Sequence, residues 1–143
     1  MSYAGDVSPT DAYAALAADP DAVLVDVRTH AEWSYVGVPD LATLGKQVVT
    51  VEWQRYPSGA VNDRFIQEVR DAGVGADQPI YFLCRSGVRS KHAAAAATAA
   101  GMGPAYNISE GFEGPHDAQQ HRAVSGWKVA GLAARRVGPP LVR

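Results

Sequence analysis

Pro79-Ile80-Tyr81-Phe82-Leu83 shows no alternation of apolar and polar positions and leads directly into a glycine-containing segment. A strand of that kind is buried on both faces, as happens in parallel sheets covered by helices. Ala22-Val23-Leu24-Val25-Asp26-Val27 is a second such run, and Ala105-Tyr106-Asn107-Ile108 a third, shorter one. Gln47 to Val51 is rich in β-formers and reads as a further strand. Helix signals lie between these runs. Ser8 caps a helix with Pro9 at its first position and Asp11 at its positive end, running to about Ala18 before Pro20. His30 to Tyr35 forms a short helix. Asn62 caps another from Asp63 to Ala72, with Phe65, Ile66 and Val69 as its apolar stripe. An alanine-rich helix with Ala93 to Ala97 follows the loop after Leu83, and Gly101 ends it. Gly37 to Asp40 and Ser109 to Gly114 are turn material. Helices alternate with buried strands and there is no hairpin signal, which predicts an α/β fold with a mostly parallel sheet.

Composition narrows the classes. With 143 residues, the chain suits one domain spanning 1–143, its core at about 8–114 and a C-terminal extension at 115–143. Apolar residues at 47% and charged residues at 20% supply an ordinary globular core and argue against disorder. A net charge of -2 offers no basic face for nucleic acid. One cysteine excludes an intrachain disulfide and a cysteine-based zinc site. His116, Asp117 and His121 do not have a known ligand spacing, so neither metal nor cofactor is assigned. The N-terminus lacks the pattern of a signal peptide and no apolar run is long enough to span a membrane, so the expected location is cytoplasmic.

The chemistry concentrates in Cys84-Arg85-Ser86-Gly87-Val88-Arg89-Ser90. A buried strand ends there, a loop follows and a helix begins, which is where ligands bind in parallel α/β sheets. Backbone amides in such a loop curl into a nest for anions, and the helix start adds free N–H groups and a positive dipole end. Gly87 permits the backbone conformations this needs. Arg85 and Arg89 oppose the helix dipole, so anion binding is the expected compensation. Ser86 and Ser90 combine capping with binding. A lone cysteine is ordinarily an inert buried side chain. This setting favours ionisation instead, and the thiolate is the nucleophile.

Four blocks of this sequence resemble the rhodanese family. They are Leu24-Val25-Asp26-Val27-Arg28, Glu32-Trp33, the loop Cys84 to Ser90, and Gly101 with Tyr106-Asn107-Ile108 followed by Glu110-Gly111-Phe112-Glu113-Gly114. The resemblance covers most of residues 8 to 114, and Gly126-Trp127 matches a glycine-tryptophan pair near the family's end. It implies a single rhodanese-like domain, with a central five-stranded parallel sheet and helices on both faces. It implies sulfur transfer through a Cys84 persulfide, with the amides from Arg85 to Arg89 around the outer sulfur. The implied donor is thiosulfate or another persulfide; the acceptor is a thiol, cyanide or a protein cysteine. Asp26, Arg28 and Glu32 are expected to support the loop, with Arg28 and Glu32 paired four residues apart. Tyr35-Val36-Gly37-Val38-Pro39-Asp40 and the stretch through Val51-Glu52-Trp53-Gln54-Arg55-Tyr56 depart from the family pattern, which puts the entrance to the site in question. Two other readings compete: a non-enzymatic persulfide carrier, sensor or interaction module, and a phosphatase. Phosphatase loops are written Cys-x5-Arg, whereas here Ser90 stands at that position and Arg89 one place early. Trp33, Trp53, Tyr56 and Trp127 are candidates for the mouth of a pocket, with the core as the default expectation, and His92 is expected to be solvated.

Overall fold

The computed structural model describes residues 2–113, Trp127 and 131–135, with the backbone alone for Arg135. In chain order the elements are β1 (Gly5–Val7), α1 (Pro9–Ala18), β2 (Val23–Asp26), α2 (His30–Val36), β3 (Val38–Pro39), β4 (Val49–Thr50), α3 (Phe65–Asp71), β5 (Ile80–Leu83), α4 (Val88–Ala99), β6 (Ala105–Ile108) and β7 (Ala134–Arg135). Five strands form one parallel sheet in the order β1-β6-β5-β2-β4. This is the rhodanese-like α/β fold, with the expected five-stranded parallel sheet.

The two-faced burial of β5 explains its unbroken apolar sequence. Ile80 and Phe82 point into a core with Phe65 and Val69 of α3 and Ala93, Ala94 and Ala97 of α4. Tyr81 and Leu83 point into the opposite core with Ala12 and Leu16 of α1. The small side chains of α4 let its axis lie close to the sheet, which places its N-terminus beside the end of β5. Helix α1 starts as read, with the Ser8 Oγ accepting from the Asp11 N–H at 3.1 Å. Helix α2 is held by a capping box between Thr29 and Glu32.

Several expectations need correction. β1 joins the sheet edge beside β6, although its short sequence carries no strand pattern. Gly37 to Asp40 is not all turn: Val38 and Pro39 pair antiparallel with Arg135 and Ala134. The strand expected over Gln47 to Val51 contracts to Val49–Thr50. Helix α3 starts at Phe65 and not at Asp63, after a turn fastened by the Asn62 side chain. Its amide N–H donates to the Glu52 carbonyl at 2.9 Å and to Glu68 Oε1 at 2.8 Å. Its oxygen accepts from Arg55 and from the Arg64 N–H.

Most of 115–143 lies outside the described residues, as do His116, Asp117, His121 and Gly126. Trp127 is described, and it is fully buried in the α1-side core, edge-on to Tyr13. Its backbone N–H donates to the Gly111 carbonyl and its indole N–H to the Ala133 carbonyl. Trp127→Ala removes a large core side chain and is expected to lower stability by about 3–5 kcal/mol. Urea denaturation monitored by circular dichroism measures this; a loss below about 1 kcal/mol would contradict that core position.

Candidate active site

Cys84 follows the last residue of β5 and lies under the loop that turns into α4. Its Sγ accepts the Gly87 backbone N–H at 3.1 Å and lies 3.1 Å from Ser90 Oγ. Gly87 has φ 105° and opens α4. The residue is 1% exposed, so the thiol lies beneath the loop and not at the surface. Aliphatic groups of the α3/α4-side core pack on it, while the loop amide and the Ser90 hydroxyl provide a polar side.

Two glycines set the loop's path. A Cβ on Gly87 would overlap the Ser109 carbonyl oxygen. A Cβ on Gly111, at φ 65°, would stand 2.6 Å from the carbonyl of Arg85 and the nitrogen of Ser86. The turn over 109–113 is thus in backbone contact with the loop on two sides. Two hydrogen bonds reinforce it, from the Phe112 N–H to the Cys84 carbonyl at 2.8 Å and from the Glu113 N–H to the Arg85 carbonyl at 2.9 Å.

Ser90 is fully buried and has one hydroxyl proton for two neighbours. Its Oγ is 2.6 Å from Asn107 Oδ1, and the Asn107 amide is oriented by donating to Asp6 Oδ1 at 3.0 Å. While that proton points to Asn107, Ser90 Oγ accepts from the thiol. Once the sulfur loses its proton, the hydroxyl can turn and donate to it. Sequence reasoning missed Asn107. A polar residue inside the buried run Tyr106-Asn107-Ile108 was the available signal.

The supporting charges are arranged differently from expectation. Arg28 pairs with Asp26, not with Glu32: Nη2 reaches Oδ2 at 2.7 Å, and both side chains are fully buried. Helix α2 begins at His30, so Arg28 precedes it and the helical four-residue spacing does not apply. Instead Arg28 and Asp26 share one side of an extended segment. Arg28 also donates to the Gly37 carbonyl, and its guanidinium carbon sits 4.2 Å from the Phe112 ring centroid. Glu32 is taken by Arg89 through two hydrogen bonds of 2.7 and 2.9 Å. Burial alone would push the Glu32 carboxyl up; the Arg89 hydrogen bonds and charge, with the Thr29 N–H, outweigh it and hold the carboxyl below its usual range. Arg85 is exposed, and its Nε stands 3.4 Å from Glu113 Oε2. Ser86 is half-buried and the Val88 side chain is exposed.

Above the loop lies a cavity of about 670 Å³, with Glu32, Tyr35, Tyr56, Arg85, Arg89 and Glu113 among its walls. Cys84 itself is not in those walls, whereas its loop neighbours Arg85 and Ser86 are. Trp33 is buried and Trp53 partly so, whereas Tyr56, expected in the core, is exposed at this cavity. His92 is exposed on α4. Among the described residues, no group of three or more His, Cys, Asp or Glu side chains could hold a metal ion, and no helix is long and apolar enough to cross a membrane.

The model of the family described as STR4 middle domain matches residues 4–132. An uncharacterised protein of Rickettsia conorii is 40% identical over 127 residues, covering 89% of this chain and 94% of that protein. The crystal structure of Rv0390 from M. tuberculosis superposes with a TM-score of 0.87 at 51% identity, covering 95% of this chain and 100% of that one. The solution structure of a polysulfide-sulfur transferase homodimer from Wolinella succinogenes superposes with a TM-score of 0.62 at 21% identity, covering 92% of this chain and 78% of that one. At that identity the last likeness is one of fold.

The lowered Glu32 carboxyl gives an acid-side test. A carboxyl depressed in the folded state contributes stability above its ordinary range, and loses it as pH falls through its lowered value. Glu32→Gln is therefore expected to be less stable than the parent at neutral pH, with the gap closing below about pH 4. Urea midpoints from pH 3 to 7 check this; a gap independent of pH would contradict the pairing.

Proposed function

We propose that this chain, a member of the STR4 middle domain family, is a sulfurtransferase that carries sulfur as a persulfide on Cys84. The carrying observation is the Gly87 N–H on Sγ at 3.1 Å, in a loop that closes onto the start of α4, with the Ser90 hydroxyl at the same distance. Donors aimed at a sulfur stabilise negative charge there without reorganising during the reaction. The rhodanese-like fold puts this site at the carboxyl end of a central strand, where such chemistry is hosted.

The reaction has two halves. The Cys84 thiolate attacks the outer sulfur of thiosulfate or another persulfide donor. A bond forms between Sγ and that sulfur, the donor's sulfur–sulfur bond breaks, and sulfite (or the reduced donor) leaves with the electron pair. A thiol, cyanide or protein cysteine then attacks the outer sulfur and Cys84 departs as thiolate. In this scheme the amides from Arg85 to Arg89 are the binding groups and Ser90 turns its hydroxyl to the ionised sulfur. Asp26, Arg28 and Glu32 act as braces: Asp26 and Arg28 fix the end of β2 against Phe112, and Glu32 holds Arg89. Asn107 positions Ser90. No metal or cofactor is invoked.

The phosphatase reading loses support from the same geometry. Such enzymes clamp a phosphate with the loop arginine, but both ends of the Arg89 guanidinium are committed to Glu32.

Treatment with thiosulfate followed by intact mass spectrometry tests the reading. The parent is expected to gain about 32 Da, one sulfur atom, which a reductant removes, while Cys84→Ser gains nothing. No gain in the parent with thiosulfate or a cysteine persulfide donor would refute the proposal.

A further inference from the structure

Of the two groups hydrogen-bonded to the sulfur, Ser90 is the one whose proton is directed from elsewhere in the fold. A chain of hydrogen bonds runs from it to the edge of the sheet. Ser90 Oγ stands 2.6 Å from Asn107 Oδ1, Asn107 Nδ2 donates to Asp6 Oδ1 at 3.0 Å, and the Tyr3 hydroxyl donates to the same oxygen at 2.8 Å. Asp6 lies directly opposite Asn107 in the parallel pairing of β1 with β6. Ser90 and Asn107 are buried, whereas Asp6 is exposed. Tyr3 packs against the α3/α4-side core and fastens the carboxylate there.

Donors and acceptors give this chain one direction. An ionised carboxylate only accepts, so Asp6 takes the NH2 end of the Asn107 amide and leaves the carbonyl end facing Ser90. A carbonyl oxygen also only accepts, so the Ser90 hydroxyl proton belongs to Asn107. Ser90 Oγ then meets Sγ at 3.1 Å with lone pairs alone, and the partner that suits it is a protonated thiol. An ionised sulfur needs the Ser90 proton for itself, and taking it leaves two bare oxygens 2.6 Å apart. A hydrogen bond made only by the neutral form of a group disfavours its charged form. Without Asp6 the amide is free to turn over. Its NH2 end then donates to Ser90, and the hydroxyl proton is released to the sulfur.

Resting on the persulfide reading above, we propose that Asp6 is a positioning residue: acting through the Asn107 amide, it directs the Ser90 proton away from Cys84 and so restrains ionisation of the thiol in the resting protein. Its hydrogen bonds go to Asn107 and Tyr3, neither of which belongs to the loop over Cys84. The Gly87 N–H favours the thiolate whatever the direction of this chain, so a fixed main-chain donor and an adjustable side-chain relay oppose each other at one atom. Restraint suits an unpartnered reactive cysteine, because oxidation follows thiolate character. The charged groups around the sulfur act separately. Arg89 of α4 interacts with Cys84 and is paired with Glu32 of α2; Asp26, at the end of β2 and paired with Arg28, acts on the same guanidinium. The turn over 109–113 carries Glu110 and Glu113, the latter paired with Arg85 of the loop. None of these is a link between Ser90 and Asp6, so a substitution at Asp6 leaves them in place.

The test separates the direction of the relay from the charge of Asp6. The ultraviolet absorbance of the thiolate is followed against pH in the full chain; with one cysteine, the signal belongs to Cys84 once the Cys84→Ser trace is subtracted. Asp6→Ala is expected to move the titration midpoint down by about half to one pH unit, raising the thiolate fraction below the midpoint about three- to tenfold. Asp6→Asn keeps an acceptor oxygen for Asn107 without the charge, and is expected to titrate with the parent. In a Ser90→Ala background, Asp6→Ala should produce no shift, because the hydroxyl that relays the effect is gone. Asp6 is exposed on an edge strand, so its replacement leaves the core intact. Equal shifts in Asp6→Asn and Asp6→Ala would assign the effect to charge and overturn the proposal. An unchanged midpoint in Asp6→Ala, or a shift that survives Ser90→Ala, would overturn it as well. The titration involves no sulfur transfer, so these outcomes are distinct from the failure to gain sulfur that would refute the persulfide reading.

Discussion

The loop over Cys84 and the turn over 109–113 approach each other more closely than side chains allow. Gly87 faces the Ser109 carbonyl and Gly111 faces the peptide between Arg85 and Ser86. Two backbone hydrogen bonds hold the strands of this contact together, at Cys84 and at Arg85. Contact of this kind leaves the loop little freedom to flatten. That curvature is what turns the Gly87 N–H onto the sulfur, and it follows from main chain alone. The turn is in turn anchored from below, since Phe112 sits in the core under the Arg28 guanidinium and Trp127 donates to Gly111.

Charge is used to brace this assembly. Asp26 and Arg28 are both fully buried, so each depends on the other: a lone buried charge at either position would cost about 3–5 kcal/mol. Their pair joins the end of β2 to the Gly37 carbonyl and to Phe112. The Glu32–Arg89 pair ties α2 to α4 across the mouth of the cavity. With the cations so occupied, the donors left for the sulfur are a main-chain N–H and a hydroxyl. In a low-dielectric setting such dipoles act strongly on a nearby charge. The rhodanese-like fold thus sets polar groups around one sulfur atom, below a cavity walled by charged and aromatic side chains.

Much of this was legible in the sequence because it rests on long, consistent patterns. β5 is an unbroken apolar run, β2 and β6 are largely apolar with one polar residue each, and α1 carries its cap, its proline and its acidic first turn in order. The loop from Cys84 to Ser90 could be read because a strand stops and a helix begins at a glycine. Of the strands of two or three residues, β4 was foreshadowed by its β-rich stretch, whereas β1, β3 and β7 exist through pairing partners far along the chain, and no local periodicity records them. The same holds for charge. Arg28 and Glu32 suggested a helical pair by spacing, but Glu32 meets Arg89, 57 residues away. Tyr56 could be read either as a core aromatic or as one at a pocket mouth, and only the tertiary arrangement decides for the cavity wall, beside Tyr35.

A crystal structure of the protein after sulfur loading would decide whether the backbone cradle holds the transferred atom. The account requires one additional sulfur bonded to Cys84 Sγ, within hydrogen-bond distance of main-chain N–H groups between Arg85 and Arg89, with Gly87 and Gly111 in their present positions. A sulfur directed away from those groups, or a loop rebuilt around it with the contact to Ser109 broken, would contradict the account.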